Sequence, residues 1–192
     1  DVYKRQPIKD FNNNSKVIAE FYKVYKEFKE NGKLLKILNS FNFRIKRGDR
    51  IGIIGKNGSG KTTFLKLILN HLSPDKGSIK INKNMEFSYF DQNRSDLNPN
   101  DSLKDVMAPN GGDYVEVRGK MRHIYGYLKD FMFDSTVILE SVSTLSGGQK
   151  NRLKLAKILA NPKSCLILDE PTNDLDMETL DMLGEILTNY QG

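Results

Sequence analysis

The stretch "GKNGSGKTT", residues 55–63, constrains this chain more tightly than any other. It fits G-x-x-x-x-G-K-[ST] through Gly55, Gly60, Lys61 and Thr62, with Lys56, Asn57, Gly58 and Ser59 between the glycines and Thr63 behind. Glycines let a backbone wrap so that successive N–H groups point inward at an anion. Such a loop works where a strand delivers it and a helix leaves from it, because the helix start adds bare N–H groups and a favourable dipole. The flanks supply both. "RIGIIG" (50–55) reads as a short apolar strand, and "KTTFLKLILNHL" (61–72) has helical spacing with Phe64, Leu65, Ile68, Leu69 and Leu72 on one side. Strand, glycine loop and helix in this order predict α/β organisation with a parallel sheet.

A second segment completes the chemistry. In "SCLILDE" four apolar residues read as a buried strand that delivers Asp169 and Glu170 at its carboxyl end, where α/β sheets bind ligands. With a phosphate loop upstream, Lys61 would reach the β- and γ-phosphates of ATP as a point charge. Thr62 would ligate Mg²⁺, Asp169 would hold the same ion directly or through water, and Glu170 would polarise the attacking water. Two acids before "PTNDLD" can also serve as plain helix caps. Cys165 reads as a buried structural thiol, and as the one cysteine of the chain it forms no internal disulfide.

Elsewhere the chain reads as alternating elements. Residues 16–28 and 37–49 have apolar residues near period two, with "KENGK" as the turn between them. "SIKINK" and "MEFSYFDQ" read as a β pair, and residues 97–140 are mixed, with helical runs at "SLKDVM" and "MRHIYGYLKDFMF". "METLDMLGEILTNY" is an amphipathic helix. The 192 residues are 38% hydrophobic and 28% charged, an ordinary soluble profile that predicts one domain with a small subdomain. No apolar run approaches the roughly 20 residues that cross a bilayer, and no secretory signal opens the chain, so the cytoplasm is the expected location. The net charge of +6 is uneven: +7 over residues 1–50, +2 over 51–110 and −3 over 111–192. The basic first part suits nucleic acid, or equally a solvated strand face.

"LSGGQKNR" begins a basic, leucine-spaced run in which Ser146, Gly147 and Gly148 leave N–H groups bare at a helix start. The phosphate loop, "LSGGQ" and "LDEPTNDLD", in that order, resemble the ABC ATPase domain. The resemblance implies a P-loop NTPase fold of ABC type: a parallel core sheet, an antiparallel β subdomain and a small α-helical subdomain at about 97–145, all within residues 16–192. It implies that Ser146, Gly147, Gly148 and Gln149 act in trans, the helix start capping the γ-phosphate of ATP on a partner's loop. Gln92 in "YFDQN" matches the glutamine that senses Mg²⁺ and the γ-phosphate, and Asp176 in "NDLD" matches an aspartate that acts across the dimer. An aromatic usually stacks on adenine ahead of the loop; Phe28 is the choice and Tyr25 the reserve. The switch histidine expected after the acid-ended strand is absent, since His71 and His123 both precede that strand; His71 reads as a helix-end residue and His123 as a surface or subdomain residue.

Within the family the resemblance is nearest to the ABC-F group of tandem ATPases, and there to the second domain of Uup-type proteins, which share "NDLD". Lys61 and Asp169 lie 108 positions apart, which leaves no room for a long coiled-coil insertion. The implied partner is a second ABC domain, missing from the same chain, or a second copy. The implied function is an ATPase acting on ribosomes or DNA, without membrane insertion. The alternative is the cytoplasmic ATP-binding subunit of a membrane transporter; Glu170 speaks against a non-hydrolysing regulatory binder. The start "DVYKRQ" resembles a translated adapter and residues 1–15 a linker or artefactual leader, while "EILTNYQG" stops without a cap, so a piece of a longer protein is expected.

Overall fold

The computed structural model describes residues 16–30, 32–91, 97–172, 177–188 and 190, and divides into two compact units, Asp1–Met85 and Glu86–Gly192. Gln92 and Asp176 lie outside the described residues.

The first unit is an antiparallel sheet carrying one helix. β1 (Val17–Glu30) and β2 (Lys33–Lys46) form a long hairpin, and β3 (Lys76–Ile81) pairs with the other edge of β1, giving the order β2-β1-β3. The near-period-two pattern of β1 changes phase midway. Ile18, Ala19 and Phe21 are buried, and then Val24 and Lys26. The shift lies in a bulge: the register steps from Phe21↔Phe43 to Val24↔Phe41, Lys23 takes φ 45°, and its N–H donates to Asn42 Oδ1 at 2.9 Å. An extra residue in one strand reverses which side chains face inward beyond it. Gly77 of β3 permits the close approach this bulge needs, because a Cβ there would collide with the carbonyl of Lys23.

α1 (Lys61–Ile68) lies on this sheet through Phe64. Its ring stacks on Phe21 with centroids 5.1 Å apart, and meets Phe41 and Phe43 edge-on at 5.8 and 6.0 Å. Leu65, Leu67 and Ile68 are buried beside it. The helix ends four residues before the expected stop at 72. Asn70 turns left-handed at φ 56°, and the N–H groups of His71 and Leu72 both return to the Lys66 carbonyl, a C-terminal closure that a short polar residue in αL permits. His71 is thus the helix-end residue expected. Residues 50–55 form no strand. The antiparallel order of the first unit gives them no ladder partner there, and Ile51, Ile53 and Ile54 stand exposed.

In the second unit β4 (Phe87–Asp91) and β7 (Cys165–Asp169) pair in parallel, from Phe87↔Cys165 to Asp91↔Asp169. The expected β pair is therefore split: β3 joins the antiparallel sheet and β4 the parallel one. Between β4 and β7 run α2 (Leu103–Met107), the hairpin β5 (Tyr114–Val117) and β6 (Lys120–His123), α3 (Ile124–Lys129), and α4 (Gly147–Ala160). α5 (Met177–Thr188) follows β7. The β5–β6 hairpin occupies part of the run expected to be helical. Arg118 and Gly119 both take positive φ, 50° and 79°, the twist of a two-residue hairpin turn. The buried cluster gathers Phe90, Leu103, Leu128, Phe131, Ile138, Leu153 and Leu155 around α4. The Tyr127 hydroxyl donates to the Ala156 carbonyl at 2.8 Å, and burial pushes it well above its usual range. At the far end of α4 the Ala160 carbonyl accepts from the Arg118 N–H at 3.0 Å.

Two glycine substitutions separate the bulge contact from simple backbone strain. Gly48 and Gly77 share φ 84°, but a Cβ at Gly48 meets nothing within 4 Å. Gly48→Ala should lower the unfolding free energy by about 1–2 kcal/mol, the left-handed cost alone. Gly77→Ala should cost about 2 kcal/mol more, since the blocking atom is backbone. Urea unfolding of both variants checks this, and equal midpoints would remove the bulge contact from the account.

Candidate functional site

The glycine loop closes on itself before it meets anything else. The Ser59 N–H donates to the Lys56 carbonyl at 3.1 Å, and a Cβ on Gly55 would sit 2.5 Å from Ser59 Oγ. Gly58 and Gly60 take φ 77° and 97°, the left-handed region where glycine is free of penalty. Gly60 is also the N-cap of α1 and offers no side-chain oxygen to the first turn. A Cβ there would collide with Ile37 Cγ2, so β2 presses directly on the loop's last glycine. Lys61 folds back, its ammonium donating to the carbonyls of Gly55 at 2.9 Å and Lys56 at 3.2 Å. Thr62 is exposed and Thr63 half-buried on the first turn. The loop thus has two left-handed glycines, a helix start without a side-chain cap and an ammonium lying on its own carbonyls.

Phe28 belongs to the same unit. It pairs with Leu35 across the hairpin and remains 38% exposed, while Tyr25 is half-buried and pairs with Lys76. Leu35 stands two residues before Ile37, so the Phe28 end of the hairpin and the loop contact share one stretch of β2.

The acids and the serine-capped helix belong to the second unit. Asp169, the last residue of β7, is buried at 9% exposure, and its Oδ2 accepts from the Tyr89 hydroxyl at 3.1 Å. Tyr89 was not singled out from the sequence. Only the parallel register, which sets Tyr89 beside Ile167, brings it to the acid. Glu170 is exposed and takes φ 49°, unusual for a non-glycine residue and a form of local strain that clusters at functional positions. β7 is less enclosed than its composition suggests: Ile167 is buried, but Cys165, Leu166 and Leu168 are half-buried. Burial still raises the Cys165 thiol above its ordinary range.

At α4 the serine does what its position demands. Ser146 Oγ accepts from the Gln149 N–H at 3.2 Å, and Gln149 Oε1 accepts from the Ser146 N–H at 2.9 Å, a reciprocal capping box. That box leaves the N–H groups of Gly147 and Gly148 at the helix mouth. A Cβ on Gly147 would meet nothing within 4 Å, so the chain's own packing does not require glycine there. His123 caps α3, its Nδ1 accepting from the Tyr125 N–H at 3.3 Å, and it stays exposed.

The comparisons with known proteins fit this geometry. The chain is 50% identical over 156 residues to the ATP-binding protein Uup of Haemophilus influenzae, a match covering 81% of the chain and 24% of the relative. It is 37% identical over 156 residues to the energy-dependent translational throttle protein EttA of Mycobacterium tuberculosis, covering 81% and 28%. The chain thus spans about a quarter of the length of these relatives. Among solved structures, a dimeric ATP-binding cassette in a post-hydrolysis state bound to ADP and Pi aligns with a TM-score of 0.65 at 25% identity, covering 88% of this chain and 81% of that one. Residues 38–173 match the ABC transporter family, a stretch that holds the glycine loop, the capped helix and both acids. A match over more than half of its length places the chain in the ABC transporter family.

Proposed function

We propose that the chain binds Mg-ATP on residues 55–63 and hydrolyses it as one of a pair of such domains in the cytoplasm, acting on a ribosome or on DNA. The observation that carries this reading is the glycine loop. Gly58 and Gly60 are left-handed, α1 starts without a side-chain cap, and Lys61 already lies on two loop carbonyls. An uncapped helix start and a cation at one spot favour a polyanion. Mg²⁺ takes few protein oxygens beside phosphate oxygens, and the Thr62 hydroxyl and Asp169 carboxylate are donors of that hard type. Bound there, Mg-ATP supplies the phosphoanhydride and the metal its charge neutralisation. Tyr89 orients Asp169, Glu170 accepts the proton of the attacking water, and Lys61 holds the terminal phosphates. Gln92 and Asp176 keep the roles the family motif gives them.

Pairing is supported by the open space at Gly147, which leaves the Ser146-capped mouth of α4 clear for an anion on a partner domain. It is supported too by the dimeric state of the similar cassette. The likeness to Uup and EttA favours the ABC-F reading over a transporter subunit, and the name of the second points to translation. Among the described residues, no helix is long and apolar enough to cross a membrane.

Lys61→Ala should remove a charge-assisted contact of roughly 1.5–3 kcal/mol, about tenfold or more in ATP affinity. Calorimetry with Mg-ATP checks it, and unchanged binding sinks the loop assignment. Glu170→Gln should retain ATP binding while phosphate release falls by about 10²–10⁴-fold, the usual weight of a general base; turnover at the parent rate would move the base elsewhere. Tyr89→Phe should cost about 1–3 kcal/mol of unfolding free energy, because it strips a donor from a buried carboxylate. Chemical denaturation without nucleotide or metal reads this separately from activity.

A further inference from the structure

The first unit buries a lysine that the glycine-loop chemistry does not use. Lys26 is 8% exposed, near the middle of β1, and lysines are seldom buried unless paired. Its ammonium donates to Asp75 Oδ1 at 2.8 Å and to the Ser73 carbonyl at 3.0 Å. Asp75 is fastened in turn, its Oδ2 accepting from the Glu27 N–H at 2.7 Å and its own N–H donating to the Tyr25 carbonyl at 2.9 Å. Residues 73–75 are thereby stitched along β1. The hydrogen bond from Lys26 holds the Asp75 carboxyl below the usual carboxylate range.

The same ammonium lies 5.4 Å from the centroid of the Phe28 ring. Two of its protons go to Asp75 and Ser73, and the positive charge rests against the ring. Two residues apart on one strand, Lys26 and Phe28 share a face, and beyond the bulge at Lys23 Val24 and Lys26 are the buried side chains. Phe28 pairs with Leu35, and Ile37, two residues further along β2, packs on Gly60 of the loop.

We propose that Lys26, locked by Asp75 and Ser73, is a positioning residue that fixes the Phe28 ring for stacking on the nucleotide base. The inference rests on the reading of residues 55–63 as the phosphate site and Phe28 as the base contact. An exposed phenylalanine exchanges rotamers freely; a cation held at the ring restrains it and polarises its π-system. The restraint acts on the base and not on the phosphates, so its signature is a change in selectivity.

The test compares affinities for ATP and for inorganic tripolyphosphate, which has no base, in the parent and in Lys26→Met, Lys26→Arg, Asp75→Asn and Phe28→Ala. Lys26→Met keeps the aliphatic stem and removes the charge. It should weaken ATP about two- to fivefold, the weight of one cation–π contact, while tripolyphosphate binds as in the parent. Asp75→Asn should move the ratio the same way by less, and Lys26→Arg should restore it. Retained tripolyphosphate binding shows that each variant is folded, and if Lys26→Met fails on that count Asp75→Asn carries the test. A lowered ATP-to-tripolyphosphate ratio in Phe28→Ala, with the parent ratio in Lys26→Met and Asp75→Asn, overturns the proposal. A parent ratio in Phe28→Ala itself removes Phe28 as the base contact, and the proposal falls with it.

Discussion

The first unit hangs on one ring. Phe64 is the point at which α1 grips its sheet, stacked on Phe21 and flanked by Phe41 and Phe43 from β2. Aromatic pairs at such spacings add to what their buried area already contributes. Because Phe64 lies in the first turn of α1, its seat fixes where the helix begins, and so where Gly60 and the loop before it must turn. Ile37 then closes the remaining freedom by packing on Gly60. The loop's glycines are permissive; the phenylalanine cluster makes one of their many conformations the settled one.

The second unit is organised around α4 in a comparable way. Its start is closed by the Ser146 and Gln149 exchange, its middle by the Tyr127 hydroxyl, and its end by the hairpin turn at Arg118. A helix tied at both ends and at mid-length has little freedom to slide. The groups at its mouth are therefore presented by a rigid element, as a binding site requires.

Much of this was legible in the residues. The glycine loop, the helix after it, the serine-capped helix and the acid-ended strand were all found at their places, because each follows from local chemistry. What was not legible depended on pairing. "SIKINK" and "MEFSYFDQ" are neighbours in sequence and both strand-like, yet nothing local says that one will pair antiparallel with β1 and the other parallel with a strand 78 residues on. Tyr89 reached Asp169 only through that distant register, and Lys26 reached Asp75 and Ser73 only through the fold of the first unit. The turn at Arg118 and Gly119 could have been found: a non-glycine followed by glycine between alternating residues is a hairpin signal, outweighed here by the helical look of "MRHIYGYL". The exposure of the isoleucines before the loop had no such signal, since an apolar run reads as a strand whether or not its unit holds a partner for it.

The bulge at Lys23 also sets how this hairpin can change over evolutionary time. Facing alternates with every residue, so a strand keeps its meaning only modulo two. Loss or gain of a single residue near Tyr22 and Lys23 would turn outward Val24 and Lys26, the two buried side chains just beyond it. Loss or gain of two would shorten or lengthen the ribbon and leave each side chain on its own side. Length variation among relatives should then be parity-filtered here, with even steps accepted and odd steps purged, even though the hairpin end at Gly32 is open enough to tolerate either.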